Sequence, residues 1–328
     1  MKRSTLIITA IAMLATAHNG KLDAQAPQPG SNGQNPPVQP GEPVASFKSS
    51  VDLVRVSAVV RDRKGRFVRD LRVGDFDVFD DGQIRPITDF RHDLSGVSIA
   101  VLFDVSGSME SRIRNARESA AHLLSWLDAE RDEAAVFTFD TRLAQMTPFT
   151  RGLQALPPEL DLVTPFGATG LHDAIAQTAR RLDGREGRRR AVVVLTDGVD
   201  NASRLSSSEV SGIASAIDVP VYVFGIVPSI DNPSAEQAVP SAFKSALAGS
   251  LADLASWTGG HSFVVSTPAE RSVAARQVID ELRHQYLIAF ESSGKPGWHP
   301  LVVRARDKDL TVRARSGYIA GQSRPISQ

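Results

Sequence analysis

The chain has 328 residues, of which 42% are hydrophobic, and it contains no cysteine. Lysine plus arginine and aspartate plus glutamate both number 37, so no overall charge favours nucleic acid or an anionic membrane as a partner. The absence of cysteine excludes disulfides, thiol catalysis and a lipid-modified cysteine. The length predicts about two domains, at roughly 100 to 200 residues each.

The first 26 residues have the pattern of a secretory signal peptide. Two basic residues precede the apolar run 6–15, and small residues follow at Ala17 and Ala26, after either of which cleavage would fit. The apolar run is shorter than the roughly 20 residues that span a bilayer. Residues 27–46 are rich in Pro, Gly, Gln and Asn, which predicts a disordered linker. We therefore expect a secreted or periplasmic protein with no membrane span after cleavage.

Residues 47–93 have the pattern of an N-terminal β segment. Alternating apolar residues predict a strand at 54–60, and a second strand at 76–79 leads into the turn 80–82 and a run of apolar residues up to Phe90. The acids around this turn lack the alternate spacing and the late glutamate of a calcium loop. We therefore interpret these acids as residues that form the turn.

Residues 94–283 alternate between apolar strands and amphipathic helices. Strands are predicted at 97–103, 134–139, 191–196, 219–227 and 263–265, with an edge strand at 143–149. Helices are predicted at 113–127, 171–182, 206–217, 247–257 and 267–282. The basic run 185–190 lacks interleaved aromatic residues, which favours a solvated loop over a nucleic-acid site. The alternation predicts an α/β fold with a doubly wound, mostly parallel sheet and helices on both faces.

Residues 284–320 are again β in character, and residues 321–328 form a tail. Strands are predicted at 286–290, 301–305 and 310–314, separated by turns. Neither this segment nor 47–93 has enough strands to be stable alone. We therefore expect the two segments to pair into one small β module beside the α/β core.

Oxygen-bearing side chains follow the predicted strands at one edge of the sheet. They are Asp104, Ser106, Ser108, Thr169 and Asp197. Ligand crevices of open α/β sheets lie at the carboxyl ends of the strands, where these residues should meet. Carboxylate and hydroxyl oxygens suit Mg²⁺ or Mn²⁺. The alternative is that the three hydroxyls cap the following helices, with Asp104 as a capping acid at the positive end of the first, and that Asp197-Gly198 is an ordinary turn.

Three motifs carry a family resemblance. Asp104-x-Ser106-x-Ser108, Thr169 in a G-x-T-x-L loop, and Thr196-Asp197-Gly198 after an apolar strand resemble the von Willebrand factor type A domain with an intact metal-ion-dependent adhesion site. Together with Gly259-Gly260, the two β segments and the signal peptide, they also resemble the bacterial VWFA-related acidobacterial domain family. This resemblance covers about residues 47–320.

The resemblance implies a role for each site residue. Ser106 and Ser108 would bind Mg²⁺ or Mn²⁺ directly, and Thr169 would bind it directly or through water. Asp104 and Asp197 would act mainly through waters and hydrogen bonds. One coordination position stays open for a glutamate or aspartate carboxylate of a partner protein. The implied function is an exported, metal-dependent protein-binding module.

An enzyme is the competing class. A metal-dependent hydrolase of phosphate esters would begin with an aspartate at a strand end, but it needs a second acid two residues later, and position 106 is serine. Ser106 also lacks the G-x-S-x-G elbow of serine hydrolases. The histidines show no metal-ligand spacing. Catalysis is therefore the weaker hypothesis, and a metal that is only structural is the other alternative.

Overall fold

The computed structural model describes residues 53–92, 96–185, 188–216, 218–227 and 251–320. The predicted signal peptide, the linker, the first four residues of the helix predicted at 247–257 and the tail at 321–328 lie outside these ranges, and the predicted domain boundaries stay predictions. None of the helices within the described ranges has the length and apolar character needed to cross a membrane.

The described chain alternates strands and helices in the predicted order. The strands are β1 (Leu53–Arg61), β2 (Phe76–Asp80), β3 (Gln83–Arg85), β4 (Ile87–Arg91), β5 (Val97–Asp104), β6 (Glu133–Phe139), β7 (Leu143–Arg151), β8 (Arg189–Thr196), β9 (Val221–Ile226), β10 (Ser262–Val265), β11 (Gln285–Glu291), β12 (Gly297–Ala305), β13 (Thr311–Ala314) and β14 (Gly317–Ala320). The α-helices are α1 (Ile113–Ser125), α2 (Leu171–Arg181), α3 (Ser207–Ala216), α4 (Ala252–Trp257) and α5 (Pro268–Arg283).

The central sheet has six strands in the order β10-β9-β8-β5-β6-β7. All neighbours are parallel except β7, which runs antiparallel to β6 at the edge. One apolar cluster joins this sheet to α1 and α5, and another joins its opposite face to α2, α3 and α4. The prediction of a doubly wound α/β fold with helices on both faces is confirmed.

The winding of the sheet changes direction beside β5. The chain runs from β5 outward through β6 and β7, and it then returns to β8 on the other side of β5. The strand order therefore reverses between β5 and β8, and ligands bind at such reversals in open α/β sheets. Every residue of β5 is buried, which explains its unbroken apolar sequence up to Asp104.

The flanking segments form two four-stranded sheets around one shared core. The orders are β13-β1-β11-β4 and β14-β12-β2-β3, and both include strands from each end of the chain. β1 pairs with β11 and β2 pairs with β12, so the predicted pairing of the two segments is confirmed. Their shared core includes Val56, Phe76 and Tyr286.

Two details of this β module differ from expectation. The apolar run before Phe90 is divided between β3 and β4, which belong to different sheets and meet at Pro86. Proline has no amide hydrogen to continue a ladder, so the chain changes sheet there. Strand β14 was not predicted, because its four residues carry only a weak pattern.

Candidate metal centre

The site begins where β5 ends at Asp104. Because β5 is buried along its whole length, the Asp104 carboxylate lies fully inside the protein. Its Oδ1 accepts a hydrogen bond from the Ser106 amide at 3.0 Å, and its Oδ2 accepts one from Thr196 Oγ1 at 2.6 Å. Thr196 is the last residue of β8, so this carboxylate joins the ends of the two central strands.

Burial raises the pKa of Asp104 to about 6. The hydrogen bonds from Ser106 and Thr196 lower this pKa, and the negative charge of Asp197 raises it further. Two carboxylates that are near each other and removed from water repel, and a cation placed between them would relieve the repulsion. The electrostatics of the site therefore favour a bound positive charge.

The two serine hydroxyls lie side by side just beyond Asp104. Ser106 Oγ and Ser108 Oγ are 3.2 Å apart, with Ser106 buried and Ser108 exposed. A 3-10 turn at Gly107–Met109 holds this spacing. Two neutral oxygens this close to each other can be ligands of one cation.

The hydroxyls do not serve as helix caps. The N-cap residues of the 3-10 turn, α1 and α2 are Ser106, Arg112 and Gly170. Among the residues that the structure describes, no side chain of these three makes a capping hydrogen bond. The alternative in which Ser106, Ser108 and Thr169 are simple caps is therefore wrong.

The Thr169 loop is clamped onto the first motif by its backbone. The Phe166 amide donates to the Val105 carbonyl at 2.9 Å, and the Gly107 amide donates to the Gly167 carbonyl at 3.0 Å. Gly167 has a φ of 84°, a conformation that strongly favours glycine. These contacts bring the buried Thr169 to the same edge of the sheet as the two serines.

Asp197 follows β8 and completes the predicted set. It is buried, and a turn through Gly198, whose φ is 88°, carries the chain away from it. Arg112 connects this side of the site to the first motif, because its Nη1 lies 3.6 Å from Asp197 Oδ2 and donates to the Ser108 carbonyl at 2.6 Å. The structure thus brings all five predicted residues to one edge of the sheet.

Several supporting residues were missed in the sequence. Asn201 Oδ1 accepts from the Thr169 amide at 2.8 Å, and Asp200 lies 2.7 Å from His172 Nδ1. Although burial opposes it, hydrogen bonds from His172 and Ser203 hold the pKa of Asp200 below its usual range. An Asp-Asn pair three residues after Asp197 is a turn signal that could have drawn attention to this loop.

The donor set fits a hard divalent cation. It consists of two buried carboxylates and three hydroxyls, which are oxygen ligands that Mg²⁺ and Mn²⁺ accept. Across the described ranges, no group of three or more His, Cys, Asp or Glu side chains is arranged to hold a metal ion, so the hydroxyls are an essential part of this donor set. The role of the five residues as metal ligands stays a prediction.

Residues 99–199 match the family model of the von Willebrand factor type A domain. An uncharacterized protein of Borreliella burgdorferi is 28% identical over 145 residues, which are 41% of this chain and only 42% of that protein.

Two solved structures are also similar. An aerotolerance-related membrane protein from Bacteroides fragilis has a TM-score of 0.45 at 19% identity and covers 57% of this chain and 98% of its own. A von Willebrand factor type A protein from Catenulispora acidiphila has a TM-score of 0.44 at 13% identity and covers 84% of this chain and 76% of its own.

Proposed function

We propose that this von Willebrand factor type A domain is an exported binding module that holds Mg²⁺ or Mn²⁺ and binds an acidic group of a partner protein. The observation that carries the proposal is that the Ser106 and Ser108 hydroxyls lie 3.2 Å apart directly after the buried Asp104, whose carboxylate lies within the field of the buried Asp197. Export is inferred from the signal-peptide pattern of residues 1–26.

Each residue has a distinct task in this proposal. Ser106 and Ser108 hold the cation through neutral oxygens, and Thr169 contributes directly or through water. Asp104 and Asp197 act mainly through waters and hydrogen bonds. Asp104 also accepts hydrogen bonds from the Ser106 amide and the Thr196 hydroxyl. The bound ion supplies positive charge and one open position for a carboxylate oxygen.

Exposed apolar side chains beside the site support a protein as the ligand. Phe166 is 81% exposed and Val199 is 45% exposed. Both are held close to the motif, because the Phe166 amide binds the Val105 carbonyl and the Val199 amide binds Asp197 Oδ1 at 3.4 Å. Large apolar groups next to a polar anchor are a common feature of protein interfaces.

The same geometry argues against a phosphate-ester hydrolase. Asp104 would have to be the nucleophile, but its carboxylate is fully buried and both of its oxygens already accept hydrogen bonds. His172, the histidine of the adjacent helix α2, is paired with Asp200. We therefore expect no metal-dependent phosphatase activity above that of Asp104→Ala in a parallel assay.

Titration of MnCl₂ into the purified protein by calorimetry tests metal binding. We expect saturable binding that Asp104→Ala abolishes, while Asp309→Ala, a change at an exposed aspartate of the β module, leaves it intact. Equal affinity of the wild type and Asp104→Ala would refute the metal assignment.

Capture of envelope proteins on the immobilised chain tests the partner. Retention should be lost on addition of chelator and in the Asp104→Ala variant. If chelation instead lowered the melting temperature and left every interaction unchanged, the metal would be structural and the binding function would be wrong.

A further inference from the structure

One charged residue of the site has no place in the predicted ligand set. Arg112 precedes α1, and its guanidinium bridges the two halves of the centre, with the same Nη1 in contact with the Ser108 carbonyl and 3.6 Å from Asp197 Oδ2. The side chain is 27% exposed, so an incoming group can reach it from solvent.

This position gives Arg112 an effect on the cation that is opposite to that of the five predicted ligands. A guanidinium stays charged at every accessible pH. It neutralises part of the charge of Asp197 and repels a divalent ion that binds next to Ser108. Arg112 should therefore weaken the attraction of the site for a divalent ion.

The same position favours an incoming carboxylate. A guanidinium carries five N–H donors, and carboxylates bind it through two oxygens where the geometry allows. A partner carboxylate that reaches the open position near exposed Ser108 arrives within the field of Arg112 as well. One oxygen can then face the divalent ion while the other faces the guanidinium.

We propose that the guanidinium of Arg112 is a fixed positive charge of the site. It lowers the affinity of the site for the divalent ion, and it binds the carboxylate that this ion recruits. The proposal rests on the metal-binding function stated above. Removal of the charge should strengthen Mn²⁺ binding and weaken carboxylate binding. A residue that only stabilises the loop of Ser108 would not produce these opposite changes.

Calorimetric titration of MnCl₂ into Arg112→Gln and its controls tests the first half. We expect Arg112→Gln to bind Mn²⁺ about three- to tenfold more tightly than the wild type. Arg112→Lys, which keeps the charge, should stay within about twofold of the wild type. Arg114→Gln removes the same charge from an exposed position of α1 and should also stay within about twofold.

Repeating the titration in sodium acetate, against sodium chloride at equal ionic strength, tests the second half. Acetate should tighten Mn²⁺ binding by the wild type and by Arg114→Gln, and this gain should vanish in Arg112→Gln. A retained gain would overturn the carboxylate role of Arg112.

The remaining outcomes separate the two proposals. If Asp104→Ala abolishes Mn²⁺ binding but Arg112→Gln binds as the wild type does or more weakly, the role of Arg112 is wrong and the metal site stands. If the wild type binds no Mn²⁺, both proposals fail. Should Arg112→Gln not fold, Arg112→Met takes its place, and an unchanged Mn²⁺ affinity or a retained acetate gain in that variant would overturn the proposal.

Discussion

Thr196 shows how one hydroxyl controls the central carboxylate of the site. It donates to Asp104 Oδ2 at 2.6 Å and accepts from the Gly198 amide at 3.0 Å. Thr196→Val keeps the shape but removes both bonds and leaves a buried carboxylate oxygen without its donor. We expect a loss of about 1–3 kcal/mol in the free energy of unfolding and weaker Mn²⁺ binding, measured by urea denaturation and calorimetry.

Thr178 provides the matched control for this change. It is fully buried in α2, and within the described residues its hydroxyl has no hydrogen-bond partner. Thr178→Val removes an unsatisfied polar group, so its stability should be unchanged or higher. A similar loss of stability in Thr196→Val and Thr178→Val would show that the replacement of threonine by valine, and not the lost bond to Asp104, causes the effect.

Phe166 should contribute to partner binding without contributing to stability. It is 81% exposed, so Phe166→Ser removes little packing but deletes the largest apolar group beside the site. We expect at least tenfold weaker capture of the partner, an unchanged melting temperature and unchanged Mn²⁺ affinity. Ile84→Ser, an exposed apolar residue of β3 in the β module, is the control and should have no effect on any of the three measurements.

Among the structural elements, the connection from α4 to β10 depends on Gly260. A Cβ built on Gly260 would lie 2.0 Å from the Val221 carbonyl oxygen of β9, which is a clash with backbone that cannot move aside. We expect Gly260→Ala to cost about 3 kcal/mol or more, measured by chemical denaturation. Gly184→Ala, at a position with nothing within 4 Å of the added Cβ, should be neutral or slightly stabilising, and equal effects would contradict this explanation.

The elements that the sequence predicted best are those whose signals are local. The buried strand β5 follows from an unbroken apolar run. The helix starts predicted at 206 and 267 agree with reciprocal capping hydrogen bonds between Ser206 and Glu209 and between Thr267 and Glu270. The division of the β module into two sheets could not be predicted, because it depends on which distant strands pair and not on local periodicity.

The candidate site divides in the same way. Asp104 and Asp197 could be placed together because both follow apolar strands of one predicted parallel sheet. The contribution of Arg112 could not be predicted, because its contact with Asp197 joins residues that are 85 positions apart and has no sequence signature. Thr196 was predicted as a strand end and as the first residue of the Thr196-Asp197-Gly198 motif, but its hydrogen bond to Asp104 was not predicted.

For the described chain as a whole, the α/β core and the β module meet at a buried ion cluster. Glu281, near the end of α5, pairs with Arg61 of β1 at 3.0 Å and with Arg313 of β13. Ser57 of β1 adds a hydrogen bond from its hydroxyl to Asp218 at 2.8 Å. The last helix of the core is thus fixed to strands from both ends of the described chain.

This cluster makes the stability of the whole molecule dependent on pH. Burial alone would raise the pKa of Glu281, but the charge of Arg313 and the hydrogen bonds from Arg313, Gln277 and Arg61 hold it below its ordinary 4.5. A lowered pKa in the folded state means that the contribution is fully present above pH 4.5 and is lost as the pH falls through the folded value.

Glu281→Gln tests this contribution, because it leaves two guanidinium groups without their shared carboxylate. We expect a loss of about 3–5 kcal/mol at pH 7, and the difference from the wild type should shrink as the pH is lowered below 4.5, measured by urea denaturation between pH 7 and pH 3. Glu118→Gln breaks a more exposed pair with Arg271 and should cost less than about 1 kcal/mol. A difference between Glu281→Gln and the wild type that stayed constant down to pH 3 would show that packing at this position, and not the charge of Glu281, joins the core to the β module.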